Sequence, residues 1–410
     1  MRIGLDILSE VAGQSSGSET YLKGFLKGLA SVNNAKHELF LFVNSGCEEF
    51  YQPPDERFHQ VHFPFSNRRR PLRVLSQLSL IPYHVRRLKL DVVNFLGTTG
   101  APFVGCASVQ HIKTLHHLEM PGVVDFRSEA FRTLAVGPSA RSADVVVANC
   151  CYIRDAATRV LGIPSGRVVT ISEAVDHATF YPQREQGEFK ETLAKYRIQQ
   201  PYLLFVSSLW PHKNAHGLIE AYAILLSRFH VPHKLVVVGG LRARSYHLEL
   251  GRRVKNHGIE SNVQFVGHVA DRHEIRDLYV GADVFAYPSY LETFGLTLLE
   301  SMACGTPVVA SNRGSIPEVA GDAALLVDPD DYAELANAIW TLLNDRTKRQ
   351  IYIARGLGRA RQFTWERTAG ETLRAYELAV QFSRRGHNKS APSLPVASLE
   401  NNSASRTDHV

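Results

Sequence analysis

Two carboxylates eight residues apart, Glu292 and Glu300, frame the stretch of this chain best equipped for chemistry, ETFGLTLLESMACGTPVVAS. Glu292 falls in a short polar loop, and Phe294-Gly295 lets backbone come close to a ligand. From Leu296 the apolar spacing turns helical, with Leu298 and Met302 four apart. The first N–H groups of such a helix, at Leu296 and Thr297, have no intrahelical partner and suit a phosphate. A phosphate ester bound there would have one carboxylate near its sugar and the other at its far end. Cys304-Gly305 should stop the helix, because glycine takes the left-handed cap cheaply. Pro307 then opens a buried strand, Val308-Val309-Ala310. Two ordinary glutamates on a solvated helix would share this spacing, so the spacing alone leaves both readings open.

A lysine and a histidine complete the set. Lys213 tips the turn Trp210-Pro-His-Lys-Asn214, between a strand at Tyr202–Ser207 and a helix whose apolar face is Leu218, Tyr222, Leu225 and Phe229. His111 follows the strand-like run Cys106–Gln110, at the carboxyl end where α/β sheets bind ligands. His111, His116 and His117 read as structural or polar histidines, not as metal ligands. Neither a metal nor a cofactor is expected.

The elements that must hold these groups alternate along the chain. Arg2–Ile7 leads through a small-residue loop, Gly13–Thr20, into a helix marked by Tyr21, Leu22, Phe25, Leu26 and Leu29. Further strands are expected at His37–Val43, Asp91–Phe95 and Asp144–Ala148, then at Leu235–Val238, Val263–Val266 and Val284–Tyr287. Alternating strands and helices argue a parallel sheet covered on both faces, an α/β architecture. No G-x-G-x-x-G occurs, so a nicotinamide fingerprint is unsupported. Ser315-Ile-Pro-Glu318 reads as a capping box, and Asp328-Pro329 as another helix start.

At 410 residues, 44% of them hydrophobic, the chain suits two globular domains. No apolar run approaches the ~18 residues of a membrane span. The opening MRIGLDILSE reads as a first strand and not as a signal peptide, since Asp6 interrupts it. Five cysteines, at 47, 106, 150, 151 and 304, lack metal or disulfide spacing and fit reduced thiols in a cytoplasmic protein. The net charge of +6 leaves nucleic acid, anionic membrane and acidic substrates open. Residues 57–89 hold eight Lys or Arg (57, 68, 69, 70, 73, 86, 87, 89) and no acid, with Leu72, Leu75, Leu78, Leu80 and Ile81 interleaved. That segment is either a solvated basic face or a surface for anionic lipid. Residues 384–410 are polar and expected to be disordered.

The 292–311 stretch resembles the signature of the retaining GT-B glycosyltransferases of family 4, E-x-F-G-x4-E-x-M-x-x-G-x-P-V. Glu292, Phe294, Gly295, Glu300, Met302, Gly305, Pro307 and Val308 all match in place. The resemblance runs over about residues 1–383 and implies two Rossmann-like domains facing each other across a cleft. An acceptor-side domain would cover 1–182 and a nucleotide-sugar domain 183–365. A helix at 366–383 would cross back, and 384–410 would form a tail. The implied reaction moves a hexose, mannose or glucose, from GDP-mannose or a UDP-hexose to a hydroxyl of a glycan, glycolipid or lipid-linked acceptor. The basic segment 57–89 would lie against the inner face of the membrane.

The resemblance also assigns roles. Glu292, Lys213 and His111 become the catalytic candidates: Glu292 and His111 contact the sugar, and Lys213 the diphosphate. Glu300 would hold the nucleotide ribose, and Phe294, Gly295, Leu296 and Thr297 complete the donor site. Gly17 resembles the glycine loop that faces the diphosphate, with Ser18 in place of one of its paired glycines. Ser207 stands where many members carry an arginine, and His212 precedes the lysine. The usual Asn-Gly-Val-Asp is Glu173-Ala-Val-Asp176 here. Two other classes remain. One is a sugar-nucleotide epimerase of similar fold. The other is a basic nucleic-acid-binding protein, which no RRM, KH or helix-turn-helix signature supports.

Overall fold

The computed structural model describes residues 1–9, 17–32, 37–65, 70–97, 99–115, 136–182, 187, 189–240 and 244–384. The expected glycine loop before Gly17, His116, His117, most of the 183–190 linker and the polar tail lie outside the described residues. So do Arg68 and Arg69, and the side chains of Arg70 and Arg73.

Short runs of Val, Ile, Leu and Phe that are apolar on both faces form strands sandwiched between helices. The first sheet contains β1 (Arg2–Asp6), β2 (Glu38–Asn44), β3 (Phe58–Phe63), β4 (Val92–Phe95), β5 (Ala107–Ile112), β6 (Val145–Ala148) and β7 (Val168–Thr170). The second contains β8 (Tyr202–Val206), β9 (Lys234–Val238), β10 (Val263–Gly267), β11 (Val284–Tyr287), β12 (Val308–Ser311) and β13 (Leu325–Val327). Their orders are β3-β2-β1-β4-β5-β6-β7 and β10-β9-β8-β11-β12-β13. All pairings are parallel. Each sheet therefore winds outward in both directions from its first strand. The winding reverses between β1 and β4 and again between β8 and β11. Such switch points open a crevice beyond the carboxyl ends of the strands, where ligands bind.

The helix Trp365–Arg384 returns from the second sheet to the first. Its Trp365, Ala369, Leu373, Tyr376 and Ala379 enter the core that covers β1, β2 and β5. The helix Gly17–Ser31 accepts it through two glycines. A Cβ on Gly24 would lie 2.0 Å from the Trp365 ring, and one on Gly28 would lie 2.3 Å from the Trp365 carbonyl oxygen. Deeper in, Asn94 donates to the Tyr376 hydroxyl at 2.5 Å. A further apolar cluster runs without a break from Ile112 and Val146 through Phe180 to Phe285, Met302 and Phe363, so the two sheets share one interior.

Three expectations need correction. β3 was hidden inside the basic segment, because FHQVHF places polar residues on the half-exposed face of an edge strand. Arg57 is no part of a free basic surface: it pairs with Asp55 at 2.6 Å and donates to the Ala30 carbonyl. The capping box at 315–318 does not form either. Ser315 Oγ donates to the carbonyls of Glu292 and Phe294, at 3.0 and 3.1 Å. Glu318 reaches the other unit, where its carboxylate accepts from the N–H groups of Cys151 and Tyr152. The five cysteines are free thiols.

Candidate active site

The loops that follow β8 and β11 meet at the second switch point, fixed by the Asn214 side chain and by main-chain contacts. Asn214 is fully buried in a left-handed conformation (φ 57°), which asparagine tolerates. Its side chain caps the helix Ala215–Phe229 and donates to the carbonyls of Pro288 and Pro329 at 3.1 and 2.9 Å. The neighbouring Lys213 is thereby held at the end of β11. On the facing side, Gly314 backs the Glu292 main chain: a Cβ there would come within 3.0 Å of the Glu292 carbonyl oxygen. The Tyr290 N–H donates to the His212 carbonyl at 2.8 Å and closes the gap between the two loops.

Lys213 Nζ donates to Glu292 Oε2 at 2.6 Å, with the lysine side chain 15% and the glutamate side chain 7% exposed. The other carboxylate oxygen, Oε1, is buried with no partner at full hydrogen-bond geometry among the described residues, although the Tyr287 and Ser289 hydroxyls help draw the carboxyl down. Burial pushes the Glu292 carboxyl up, but the Lys213 ammonium opposes it and the net effect holds the group below the usual carboxylate range. Glu292 is therefore an anion with one oxygen engaged and one still able to accept. A carboxylate in that state can grip hydroxyl groups.

Gly295 follows in the left-handed region at φ 102°, and the helix Leu296–Ala303 begins without a side-chain cap. Its first N–H groups, at Leu296 and Thr297, stay available for an anion. Phe294, beside Gly295, faces the core. Its ring is 2% exposed and packs edge-on against Phe363 at 5.9 Å, so it anchors the loop from within the core. Glu300, 5% exposed, accepts from Arg272 Nη2 at 2.7 Å. Ser207 lies just past β8, where its N–H donates to the Val238 carbonyl at 3.0 Å. Its own carbonyl would sit 1.8 Å from a Cβ at position 239, so Gly239 is needed for the two loops to pass.

From the first sheet come His111 and Gly17. His111 stands near the end of β5 as a 4% exposed residue, edge-on to Tyr21 at 6.2 Å, with Nε2 buried and without a partner among the described residues. Burial, aided by Lys113, pushes its pKa down to about 3, so the imidazole is neutral. Gly17 opens the helix Gly17–Ser31, and no atom of the described residues lies within 4 Å of a would-be side chain. Two contacts join the units around this region. Cys150 Sγ donates to the Thr293 carbonyl at 3.1 Å, beside Glu292. Arg272 Nη1 donates to Thr20 Oγ1 at 3.0 Å. Of the residues singled out in the sequence, Lys213, Glu292, Gly295, Leu296 and Thr297 form one contiguous site. Glu300 lies a turn further along the same helix. Among the described residues, no hydrogen bond or ion pair joins His111 or Gly17 to Glu292.

Two family models cover this architecture. "Glycosyltransferase Family 4" matches residues 15–179, and "Glycosyl transferases group 1" matches residues 188–358. The chain belongs to the GT-B glycosyltransferases of family 4. Among relatives of this glycosyltransferase family, the O-antigen chain mannosyltransferase B of Escherichia coli is 35% identical over 239 residues, 58% of this chain and 61% of that protein. A D-inositol 3-phosphate glycosyltransferase of Kineococcus radiotolerans is 34% identical over 276 residues, 63% of this chain and 62% of that protein. The chain thus spans about three-fifths of the length of these curated relatives. Sucrose-phosphate synthase of Thermosynechococcus elongatus superposes with a TM-score of 0.70 at 21% identity, over 94% of this chain and 100% of its own. HepE of Anabaena in complex with UDP and glucose does so with a TM-score of 0.70 at 21% identity, over 92% and 99%. At that identity the likeness establishes the GT-B fold alone.

Arg272 escaped the sequence reading, and so did the parts that Asn214 and Glu318 play. Asn214 carried a signal, as a capping residue directly before an apolar-periodic helix. Arg272 carried none, because its partner Thr20 is 252 residues away.

Proposed function

We propose that this protein is a retaining glycosyltransferase that moves a hexose, mannose or glucose, from a nucleotide diphosphate sugar to a hydroxyl of a glycan, glycolipid or lipid-linked acceptor. The observation that carries the reading is the buried Lys213–Glu292 pair, 2.6 Å apart, at the uncapped start of the helix Leu296–Ala303. A cation and free N–H groups beside an anion with a spare acceptor suit a ligand that is diphosphate at one end and polyol at the other. The E. coli mannosyltransferase relative favours mannose among the hexoses.

In this reading Glu292 and His111 grip sugar hydroxyls and Glu300 takes the ribose. Lys213 and the N–H groups of Leu296 and Thr297 stabilise the charge that develops on the leaving diphosphate. Gly17 leaves room for the diphosphate from the first unit. The bond from the anomeric carbon to the diphosphate breaks while the acceptor oxygen bonds on the same face. The acceptor proton passes to the departing phosphate oxygen, giving product and nucleoside diphosphate. A neutral His111 is no cation for the phosphates, and Glu292, tied to Lys213, serves as a hydroxyl acceptor and not as a nucleophile.

The test has two stages. A thermal-shift panel of GDP-mannose, UDP-glucose and UDP-N-acetylglucosamine should raise the melting temperature with one donor as RT ln(1 + [L]/Kd). NMR of the product from an α-linked donor should then show an α linkage. A β-linked product, or a glycosyl adduct on Glu292, would overturn the mechanism. Conversion of the donor with no acceptor present would point to an epimerase.

The acceptor side of the proposal rests on the helix Arg70–Leu88. Leu75, Leu78 and Tyr83 stand 61%, 50% and 53% exposed on it, near the exposed Arg86, Arg87 and Lys89. Apolar side chains interleaved with cations suit an anionic lipid surface, at about 1 kcal/mol per basic residue. Among the described residues no helix is long and apolar enough to cross a membrane. Co-sedimentation with vesicles is expected to require anionic lipid and to weaken in high salt. Equal binding to neutral and anionic vesicles at both salt concentrations would sink the electrostatic attachment.

A further inference from the structure

Arg272 opens the helix Arg272–Gly281, and its guanidinium joins three parts of the molecule. Nη2 donates to Glu300 at 2.7 Å, and Nη1 donates to Thr20 Oγ1 at 3.0 Å. The plane rests over the Phe180 ring at 4.8 Å. Thr20 lies three residues into the helix that Gly17 opens, on the first unit, whereas Glu300 belongs to the second. The side chain remains 40% exposed, and a guanidinium carries five N–H donors, so these bonds leave donors to spare. Glu300, by contrast, is 6% exposed at its side chain. A cation with unused donors thus stands next to a buried carboxylate, at a point where both units meet.

From this geometry we infer that Arg272 is a donor-phosphate ligand that acts together with Glu300. The inference rests on the glycosyltransferase reading above and extends it. The chemistry that fits the pair is a ribose 5′-phosphate unit. Its diol can donate to a carboxylate, while its phosphate, attached to the same five-membered ring, accepts from a cation alongside. A guanidinium matches phosphate geometry with paired N–H donors, whereas a lysine at this place would supply a point charge only. The Thr20 bond holds the guanidinium between the units, so the phosphate contact also fixes the first unit's helix relative to the nucleotide. Phe180 packs beneath the guanidinium and limits its swing.

The experiment uses the full chain and calorimetric titration with a nucleoside, its monophosphate and its diphosphate, the base being that of the donor that stabilises the wild type. Arg272→Gln is expected to lower affinity for both phosphates about tenfold or more, the usual effect of removing one charge-assisted hydrogen bond. Nucleoside affinity should stay within about twofold of wild type, since the nucleoside lacks the phosphate that such a bond would hold. Glu300→Gln is expected to weaken all three ligands, because each carries the ribose. Arg272→Lys should recover part of the phosphate affinity. Melting temperatures of the variants establish that each is folded. If Arg272→Gln weakens nucleoside and nucleotides alike, Arg272 merely orients Glu300 and the inference is overturned. If it weakens none, Arg272 is a strut between the units, which overturns it equally. A wild type that binds no nucleotide would instead sink the glycosyltransferase reading itself.

Discussion

Lys213→Met is expected to lower kcat by about 10²–10³-fold, the typical loss when one group stabilising transition-state charge is removed. The same change should also cost stability. Glu292 would remain 5% exposed with its ionic partner gone, and breaking a buried pair from one side costs about 3–5 kcal/mol. The two effects can be separated, because Glu292→Gln added to Lys213→Met removes the stranded charge. The double variant should regain much of the melting temperature and none of the activity. The pH dependence has a definite sign. In the wild type Lys213 holds the Glu292 carboxyl below its ordinary range, so this pair stabilises above that range and the contribution is lost as pH falls through the lowered pKa. In Lys213→Met burial, the largest influence, is opposed only by the Tyr287 and Ser289 hydroxyls, and the carboxyl is expected to rise instead. The folded state then loses most stability near neutral pH and recovers as acid protonates Glu292. Thermal melts of both proteins from neutral to acid pH check this. A deficit that grew on acidification would contradict the ion-pair account, and unchanged turnover would remove Lys213 from the mechanism.

The second large effect concerns the closing helix. Gly28→Val is expected to prevent normal docking of Trp365–Arg384, since the new Cβ would meet a main-chain oxygen at 2.3 Å and nothing there can rotate away. Overpacking of a core commonly costs about 1–3 kcal/mol, and a backbone clash stands at the upper end or beyond. Trp365→Ala should cost about 3–5 kcal/mol by opening a cavity at the same seam. Gly370→Ala is the control. It lies on the same helix with nothing within 4 Å of its Cβ, so a helical Gly→Ala exchange should stabilise by about 0.4–1 kcal/mol. Chemical denaturation of the three variants decides the matter. A Gly28→Val protein as stable as wild type would show that the two helices can separate at no cost.

The sequence told most where residue type dictates backbone. Gly295 and Gly305 were legible because their positions need positive φ, 102° and 78°. The strands buried on both faces were legible because they are apolar without interruption. β3 was not, since an edge strand with one wet face carries no such run. Ser315 and Glu318 fit a capping box in spacing, yet each found a stronger partner elsewhere: two carbonyls of the Glu292 loop for one, a helix N-terminus in the other unit for the other. The Lys213–Glu292 pair closes a separation of 79 residues, so only the strand order, which brings β8 beside β11, could place the two together. The resemblance supplied the roles, and the fold supplied the geometry.

The return of the last helix has a consequence for biosynthesis. Chains leave the ribosome amino end first, and domains generally fold in that order. Here the first sheet emerges early but lacks Trp365, Leu373 and Tyr376 until all of the second sheet has been made. A nascent chain paused before residue 365 would show water the apolar face that those side chains cover. The sheet made first is therefore the one whose core is completed last. A slow codon cluster anywhere between the first sheet and that helix would prolong the wait.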